Sequence, residues 1–458
     1  MYGDTSTFYF HNAGRPPPPR TVLRTLKVPV GQVPPGEPAA VLDLSTLAGT
    51  HMAARVFERH FSGDAPGGVF RARPSDPSAS ASLLGSLPRR LRPDQAAACE
   101  GPLGNSSVTV PELVAAARSA KRGKSPGGDG LPYEVYVAFG DLLFPVYAAV
   151  CNAALQCGAA DASAPLAPLL EGVITLVPKP GKPADEVVGY SPITLLNADV
   201  KLLAAVVAAR LHVPLDLVID AMQAAFVKGR DISENVLFYL GLAEYLAEVN
   251  HPAWLMLGDL AQAYDSVTHP YLLDCLRAMG FREDGHVRWA RLLHSGMSAV
   301  VLVNGWRSEP FPVRGSLAQG SGASPLYWTV VLQPLMAYIN SLAASGRIGG
   351  VPLPGGDLAP PVGAFADDTV VVLRDVDRDG PEVKAAFGLF ESASGVALSV
   401  PKTSLVPLGP AGAGLQPATG DPAVHAPTGF RVPAKDSPPT LLGVLFTTDA
   451  AAAGHAAF

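Results

Sequence analysis

The chain has 458 residues, a hydrophobic content of 48% and a formal net charge of -6 at pH 7. This length is sufficient for two or three domains or subdomains with a large core, and no apolar run approaches the roughly 20 residues that span a bilayer. The acidic balance argues against a chain that binds nucleic acid through its overall charge, although a local basic patch is sufficient to bind phosphate.

The N-terminus and the cysteines indicate an intracellular protein. The first residues, MYGDTSTFYFH, lack the apolar segment of a secretory signal. The four cysteines show no CxxC spacing, so neither a disulfide framework nor a zinc site is expected, and a reducing compartment is the default. The sequence thus predicts a nuclear or cytoplasmic protein that is not secreted, and it leaves the oligomeric state open.

Stretches rich in Pro, Gly and Ala lie at both ends of the chain. Residues 1–108 are Pro-rich and broken, with one helix predicted over 52–61, and we expect a loosely packed, linker-like lead-in. Residues 409–458 contain a Pro/Gly/Ala-rich insertion followed by a short end segment. The ordered core is therefore predicted to span 109–408.

Within this core, helices and strands are interleaved without a regular βαβ repeat. Thr109 stands three residues before Glu112, which predicts a capping box at the start of a helix. One helix is expected from Tyr133 to about Leu155, and others over 197–211, 231–249, 261–280, 324–345 and 383–394. Strands are expected in GVITLVP, WLMLG, AVVLV and the run around FADD. This order favours an α+β fold over a doubly wound sheet.

Two adjacent aspartates interrupt the apolar run GAFADDTVVVL at 363–373. Asp367 and Asp368 are predicted at the turn of a hairpin. Asp259 follows the buried strand WLMLG and is likewise predicted at an exposed strand end. Three carboxylates that converge from two strands repel one another unless a cation neutralises them, and their hard oxygens suit Mg²⁺ or Mn²⁺. Two such ions, roughly 4 Å apart, stabilise an in-line phosphoryl displacement. The alternative is an ordinary turn, since Asp favours turns, and the pair alone does not decide between them.

Two motif-like stretches do not meet the requirements of the sites that they imitate. RGKSPGG contains the end of a P-loop, but Arg118 stands where that loop needs glycine, and a helix precedes it. The stretch Asp375 to Gly380 imitates the start of an EF-hand loop, but Ala386 stands where a bidentate Glu is needed. We expect 375–380 to be a solvated acidic loop.

The segments around the aspartates resemble, in order, the reverse transcriptase domain of LINE-like (non-LTR) retrotransposons. FADD matches the F/Y-A-D-D hairpin of that family, GDLAQAYDSV resembles its first aspartate segment, and QGSGASPLYWTVVLQPL resembles its R-Q-G-C-P-L-S-P segment. Similar matches are GKSPGGDGLPYEVY, VITLVPKPGKP, GYSPITLLNADVKLLAAVVAARL, QAAFVKGRDISENV, SGVALSVPKTSLVPLG and, as the primer-grip turn, TLLGVLF. The resemblance covers about 109–446, and GDTSTFYF resembles the linker that precedes the domain.

This resemblance implies a right-hand polymerase with a palm and fingers, whose thumb is largely absent because the chain stops where a thumb would begin. It implies an RNA-directed DNA polymerase that uses two Mg²⁺ or Mn²⁺ ions, an RNA template, a DNA primer and dNTP, and no membrane. No endonuclease-like segment precedes the domain. We therefore expect a fragment of a longer polyprotein.

The resemblance also assigns roles to single residues. Asp259, Asp367 and Asp368 would hold the metals, and the main-chain carbonyl of Leu260 would complete one metal shell. Tyr264 matches the aromatic residue that packs under the incoming sugar and excludes a 2'-hydroxyl. Its alternative is an ordinary core aromatic on a helix.

Four more residues receive roles at the nucleotide. Gln319 and Gly320 would line the nucleotide pocket beneath the template base. Lys179 would meet the triphosphate as a point charge, and Lys402 would act as the general acid to the pyrophosphate leaving group. Each lysine has an equally simple alternative as a solvated surface side chain.

Three positions lack a cation that the family has. Ser191 replaces the arginine of Y-R-P-I, Ala318 replaces the arginine of R-Q-G, and Gln262 replaces a lysine. The loss of these charges would weaken the stabilisation of the triphosphate. The sequence therefore leaves an alternative open. The chain would then be either a catalytically impaired palm-fold module that binds nucleic acid or a decayed retroelement fragment.

Overall fold

A computed structural model describes residues 23–28, 41–63, 68–157, 166–411, 416 and 421–434, and the backbone of 440–441 and 444–445. Within these ranges no helix is long and apolar enough to cross a membrane, and all four cysteines are free thiols. The chain forms two compact units, each assembled from three segments. Unit 1 comprises Met1–Arg73, Pro93–Leu211 and Phe281–Ser324, and unit 2 comprises Pro74–Arg92, His212–Gly280 and Pro325–Phe458.

The helices are given in chain order. They are α1 (Leu47–Phe61), α2 (Pro77–Gly85), α3 (Pro93–Ala98), α4 (Val110–Ser119), α5 (Tyr133–Ala138), α6 (Gly140–Gln156), α7 (Ala198–Val218), α8 (Ile232–Glu248), α9 (Ala263–Ser266), α10 (His269–Ala278), α11 (His286–His294), α12 (Ser324–Ala344) and α13 (Val376–Ser394). Short 3₁₀ turns occupy Ala167–Leu169 and Val187–Gly189.

The strands are also numbered in chain order. They are β1 (Thr25–Lys27), β2 (Val41–Asp43), β3 (Glu171–Pro178), β4 (Tyr190–Leu195), β5 (Ala253–Gly258), β6 (Leu260–Ala261), β7 (Ser298–Val303), β8 (Trp306–Arg307), β9 (Phe311–Pro312), β10 (Val362–Phe365), β11 (Asp368–Leu373), β12 (Ala397–Leu398), β13 (Ser404–Leu408), β14 (Ala423–Val424), β15 (Arg431–Val432), β16 (Thr440–Leu441) and β17 (Val444–Leu445). The mixture of helices and sheets that the sequence predicts is confirmed.

Unit 1 is built on a mixed sheet of order β4-β3-β7-β8, in which β9 also pairs with β7. β3 and β4 form an antiparallel hairpin with Val177 opposite Ser191, whereas β3 and β7 are parallel with Ile174 opposite Val301. Ile174 and Val301 are fully buried, which explains why both strands read as near-continuous apolar runs.

The described part of the 1–108 lead-in is more closely packed than its composition suggests. In unit 1, Phe57 and Phe61 on α1 are buried and their rings stack 6.2 Å apart. In unit 2, α2 packs on α13 with Leu83 buried. The expectation of loose packing is therefore wrong for these helices, because apolar residues at helical spacing find a core despite the surrounding prolines. The domain boundaries themselves stay a prediction.

A buried arginine fixes the start of α4 in unit 1. Arg210 donates from Nε and Nη2 to the two carboxylate oxygens of Glu112, each at 2.8 Å, and also to the carbonyls of Ser106 and Ser107. Glu112 in turn accepts from the backbone N–H of Thr109 at 3.0 Å, which confirms the predicted capping box. A bidentate pair with its remaining donors satisfied is the geometry in which a buried charge is tolerated.

The single helix predicted from Tyr133 to about Leu155 is instead two helices, α5 and α6. Phe139 lies between them with φ -117° and ψ 20°, outside the α-helical region. Its N–H still donates to the carbonyl of Val135, while its carbonyl accepts from Leu142 and Leu143 in the next helix. The chain is therefore redirected at Phe139 without loss of backbone hydrogen bonds, which sequence periodicity does not reveal.

Asp199 lies in the first turn of α7 and is buried. Burial raises its pKa to about 6, although the N–H of Val200 donates to its carboxylate at 2.6 Å and favours the ionised form. Desolvation thus outweighs both this hydrogen bond and the favourable position of an acid at a helix N-terminus.

The elevated pKa of Asp199 has a consequence for stability. Because the folded pKa lies above the unfolded value of about 4, the folded state binds the proton more tightly, so stability should fall as pH rises from about 4 to about 6. Asp199→Asn should remove this dependence and raise the free energy of unfolding at pH 7 by up to about 3 kcal/mol. Urea unfolding of both proteins between pH 4 and pH 7 measures the difference. Asp141→Asn, at the exposed start of α6, is the control; equal slopes for wild type and Asp199→Asn would contradict the prediction.

Unit 2 is built on a six-stranded sheet of order β10-β11-β5-β13-β15-β14. Its central strand β5, predicted as WLMLG, is buried and pairs antiparallel with both β11 and β13. Helix α8 covers one face with Tyr239 and Leu242 against Leu255 and Val370. Gly363 on β10 allows this packing, since a Cβ there would lie 2.2 Å from the hydroxyl oxygen of Tyr239 and force that side chain to shift.

The predicted acidic loop at 375–380 is wrong, because this segment begins helix α13. Asp375 is the N-cap and accepts from two backbone N–H groups of the first turn at 3.0 and 3.3 Å. Asp379 is fully buried and accepts from three backbone N–H groups at 3.0–3.1 Å. These hydrogen bonds satisfy carboxylates that the sequence pattern assigns to solvent.

Candidate active site

The two adjacent aspartates lie at the tip of the β10–β11 hairpin in unit 2. Phe365 pairs with Asp368, so Ala366 and Asp367 form a two-residue turn. Ala366 has φ +56°, a left-handed conformation that is uncommon for alanine but suits a tight hairpin turn. The predicted hairpin is confirmed, and the turn exposes the side chains of Asp367 and Asp368 at the end of the sheet.

The third aspartate reaches the same end of the sheet through the strand register. β11 runs antiparallel to β5 with Thr369 opposite Gly258. Asp259, the next residue after Gly258, therefore leaves the sheet beside the start of β11. The backbone of Asp259 is fixed by the N–H of Ser399, which donates to its carbonyl at 2.8 Å.

The three carboxylates influence one another electrostatically. Partial burial, followed by the negative charges of Asp367 and Asp259, raises the pKa of Asp368. The residue as a whole is exposed, so solvent screens part of this repulsion. Such mutual repulsion is relieved by a cation.

Lys402 supplies one cation to this cluster. Its Nζ lies 3.3 Å from Oδ2 of Asp259, and its side chain is 69% exposed. An exposed pair of this kind contributes little to stability. Oδ2 of Asp259 is itself buried, and among the described residues it has this ion pair but no hydrogen-bond donor.

The donor set of this cluster fits a hard divalent cation. Carboxylate oxygens are the ligands that Mg²⁺ and Mn²⁺ prefer, and Oδ2 of Asp259 is a buried acceptor without a hydrogen-bond donor. Among the described residues, no three or more His, Cys, Asp or Glu side chains are already arranged to hold one ion. Leu260 follows Asp259 on β6, which pairs with β12; the metal role of its carbonyl stays a prediction.

Tyr264 lies next to this cluster, on the short helix α9. Burial, and then the negative charge of Asp367, raises the pKa of the Tyr264 hydroxyl. Its ring stacks on Trp328 with ring centroids 5.4 Å apart and planes inclined by 22°. Trp328 also donates from Nε1 to the carbonyl of Ala366 at 2.7 Å. One indole therefore supports both the Tyr264 ring and the turn that carries Asp367.

Sequence reasoning assigned no role to Trp328. It lies on α12 as one apolar residue within a long apolar helix, and it is fully buried. Its hydrogen bond and its stacked ring both involve residues distant in the sequence. The one available signal was the polar Nε1–H, which needs an acceptor when buried.

Structure brings Asp259, Asp367, Asp368, Tyr264 and Lys402 together in unit 2. The neighbouring Gln262, where the family has a lysine, is the N-cap of α9 with φ +49°. Its carbonyl accepts from the N–H of Ser266 at 2.9 Å. Gln262 thus shapes the turn between Asp259 and Tyr264.

Lys179 belongs to unit 1, in the loop of the β3–β4 hairpin. Its N–H donates to the carbonyl of Gly189 at 2.8 Å, and its Nζ donates to the carbonyl of Val188 at 3.2 Å. The pairing of Val177 with Ser191 places Ser191 at the base of the same loop. The hairpin therefore holds Lys179 and Ser191 close together.

Gln319 and Gly320 also belong to unit 1, in a tight turn before α12. The carbonyl of Ala318 accepts from Ser321 N–H at 3.1 Å and from Ser324 Oγ at 2.8 Å. Gly320 has φ +98°, and a Cβ there would lie 3.0 Å from the carbonyl oxygen of Thr194, so glycine is required. Gly320 lines a groove of about 420 Å³ between α4 and α7.

Comparisons with known proteins agree on one family. Residues 177–444 match the family model described as "Reverse transcriptase (RNA-dependent DNA polymerase)". The chain is 28% identical over 269 residues to the "Transposon TX1 uncharacterized 149 kDa protein" of Xenopus laevis, covering 59% of this chain and 20% of that protein. It is 26% identical over 267 residues to the "Retrovirus-related Pol polyprotein from type-2 retrotransposable element R2DM" of Drosophila melanogaster, covering 58% and 23%.

A third similarity is to the "Retrovirus-related Pol polyprotein from type-1 retrotransposable element R2" of Popillia japonica, 26% identical over 152 residues. It covers 32% of this chain and 23% of that protein. The matched region thus spans about a fifth of the length of these relatives. The resemblance to LINE-like retroelement proteins that the motifs indicate is confirmed.

Proposed function

We propose that this chain, which belongs to the reverse transcriptase family, catalyses RNA-directed DNA synthesis as a LINE-like retroelement domain. The observation that most strongly supports this is the register of β5 and β11, which places Asp259 beside the Asp367–Asp368 turn. We assign unit 2 to the palm and unit 1 to the fingers. The partners would be an RNA template, a DNA primer and dNTP, and the site of action would be intracellular, in the nucleus or the cytoplasm.

Asp259, Asp367 and Asp368 would hold the divalent cations that this family generally uses, here Mg²⁺ or Mn²⁺. Two such ions supply charge neutralisation and polarise phosphate oxygens in an in-line displacement. The protein contributes three carboxylates at one end of a sheet, and the pKa of one of them, Asp368, is raised by partial burial and then by the charges of Asp367 and Asp259. Lys402, now paired with Asp259 at 3.3 Å, would be released toward the pyrophosphate and give it a proton.

The remaining residues would orient the nucleotide. Tyr264 would pack beneath the sugar, with its ring held by Trp328. Lys179 would contact the triphosphate as a point charge, and Gln319 with Gly320 would line the pocket beneath the template base. The close approach of Gly320 to Thr194 supports a role in which backbone rather than side chain faces the nucleotide.

A second candidate function is supported by the missing cations. Ser191, Ala318 and Gln262 replace residues that would stabilise the negative charge of the triphosphate, and the loss of such donors typically slows a reaction strongly. A palm-fold protein with these replacements would still bind nucleic acid, and its function would be that binding rather than DNA synthesis.

Primer extension separates the two functions. We expect the purified protein, given Mg²⁺ or Mn²⁺, dNTP and a DNA primer on an RNA template, to extend the primer slowly. The same mixture with EDTA in place of the metal is the control. Complete absence of extension by a folded protein that binds the primer–template would reject the polymerase assignment in favour of the binding module.

Restoring one cation should accelerate extension. Ser191 lies on the edge strand β4 and is only partly buried, so Ser191→Arg can be accommodated. A new charge-assisted hydrogen bond contributes about 1.5–3 kcal/mol, so kcat/KM for dNTP should rise about tenfold or more. Steady-state single-nucleotide incorporation measures this.

Ser191→Gln, which has a polar side chain without the charge, is the matched control for Ser191→Arg. Ala318→Arg is a poorer test because Ala318 is buried, so a large side chain there would disturb the turn. An unchanged kcat/KM in a folded Ser191→Arg protein would contradict the role of this position.

A further inference from the structure

The loop between α7 and α8 is attached to the strand that leads to the catalytic hairpin. In unit 2, the N–H of Ala224 donates to the carbonyl of Ala364 at 3.1 Å, and the N–H of Ala364 donates to the carbonyl of Met222 at 2.9 Å. Asn235 Nδ2 donates to both carbonyls, at 3.0 and 3.3 Å. Ala364 is two residues before Ala366, so the loop lies along the edge of the sheet next to the turn that carries Asp367.

Arg230 makes this loop rigid. Its guanidinium donates to the carbonyls of Asp220, of Gln223 at 2.8 Å and of Ile219 at 3.3 Å, and it pairs with Asp216 at 3.0 Å. Its donors are therefore used within the loop. A partner that binds this loop would therefore contact its exposed side chains rather than Arg230.

Phe226 lies at the centre of the loop, is exposed, and has a strained backbone conformation. It has φ +62°, a region that is a genuine outlier for a bulky residue. Its side chain is 41% exposed, whereas its neighbours Ala225 and Val227 are 0% and 4% exposed. The buried neighbours anchor the backbone while the ring is directed outward. This backbone conformation carries a steric cost for an aromatic residue, and strained residues concentrate at functional sites.

The charge beside Phe226 indicates the kind of partner. Lys228 is exposed two residues further on, and Gly229 has φ +87°, which turns the chain back to Arg230. An exposed aromatic residue two positions from an exposed lysine suits a nucleobase and a nearby phosphate, because bases stack on aromatic rings and lysine binds the backbone. The location next to the Asp367 turn favours nucleic acid over protein as the partner.

We propose that Phe226 stacks on a base of the nucleic-acid strand at the edge of the palm sheet, with Lys228 against an adjacent phosphate. This inference deepens the proposed polymerase function and rests on it for the location of the strand. Base stacking is tolerant of sequence, so the contact would position the strand without selecting a particular base.

The test uses the full chain and short single-stranded RNA and DNA oligonucleotides that contain 2-aminopurine. Phe226→Ala and Phe226→Gly should weaken binding of at least one of the two strands by about tenfold and abolish the quenching of 2-aminopurine fluorescence. Phe226→Trp should retain both. Val424→Ala, an exposed apolar residue on β14 at the opposite edge of the same sheet, should bind like wild type.

Phe226→Gly distinguishes stacking from a purely structural role. Glycine adopts positive φ without strain, so Tm should stay the same or rise while binding falls. A loss on RNA alone assigns the contact to the template, and a loss on DNA alone assigns it to the primer. Wild-type affinity and quenching for Phe226→Ala on both strands would overturn the proposal, as would the absence of binding by the wild type.

Primer extension with the same preparations keeps this inference separate from the proposed function. A wild type that binds both strands through Phe226 but does not extend a primer would reject the polymerase and retain the stacking contact. An active wild type whose Phe226→Ala variant binds like the parent would reject the stacking contact alone.

Discussion

Replacement of Asp367 by asparagine should reduce primer extension by about a thousandfold or more. The change keeps the size of the side chain but removes one of the charges that would neutralise a divalent cation, and metal stabilisation of this kind contributes several kcal/mol, where each 1.36 kcal/mol is about tenfold in rate. Asp259→Asn should have a similar effect, because Asp259 reaches the same cluster from β5. Single-nucleotide incorporation in saturating Mn²⁺ measures the loss.

Stability should move in the opposite direction from activity. After the larger effect of partial burial, the charges of Asp367 and Asp259 raise the pKa of Asp368, so the loss of the Asp367 charge should leave Tm unchanged or raise it in the absence of metal. Addition of Mg²⁺ should raise Tm of the wild type, since a ligand that binds only the folded state stabilises it. Asp367→Asn should show little of this response.

The matched control for Asp367→Asn is Asp357→Asn, which removes an exposed carboxylate elsewhere in unit 2. It should retain both extension and the response of Tm to Mg²⁺. Extension that survives in the double variant Asp259→Asn, Asp367→Asn would refute the metal assignment. A large fall in Tm for Asp367→Asn would instead indicate that the carboxylate is structural.

The parts of the site that the sequence predicted correctly are those set by local pattern. GAFADDTVVVL reads as two apolar runs broken by two acids, and the β10–β11 hairpin follows from that pattern alone. The proximity of Asp259 is different, because it depends on the pairing of Gly258 with Thr369. Composition and periodicity do not specify which strands pair, so the residues alone suggested that Asp259 converges with the pair, and the resemblance to a known family strengthened that expectation.

The parts that sequence reasoning missed depend on distant partners. Asp379 lies in an acidic stretch but is buried, because Gly349 and the start of α13 supply its donors. Phe226 reads as one apolar residue in a loop, and only the backbone around Arg230 shows that the ring is directed outward. In each case the local sequence predicts the usual environment, an exposed acid or a buried aromatic residue. Hydrogen bonds to distant residues instead produce the less usual environment.

If the chain is a polymerase as proposed, Tyr264→Ala should allow it to incorporate ribonucleotides. The Tyr264 ring cannot move aside, because it stacks on Trp328 and Trp328 is fixed by its hydrogen bond to Ala366. Forcing an additional oxygen against a packed ring costs about 1–3 kcal/mol, which is about fivefold to 150-fold in kcat/KM. The ratio of kcat/KM for dNTP to that for the matching rNTP should therefore fall by this factor.

Tyr264→Phe is the matched control, because it keeps the ring and removes only the hydroxyl. Burial and the charge of Asp367 keep that hydroxyl protonated, so its removal eliminates no negative charge, and the preference for dNTP should be retained. Trp328→Phe should give an intermediate ratio, since a ring still supports Tyr264 but the hydrogen bond to Ala366 is lost. A Tyr264→Ala protein that incorporates dNTP with undiminished preference would show that another residue excludes the 2'-hydroxyl, and that Tyr264 is a core aromatic beside the metal site.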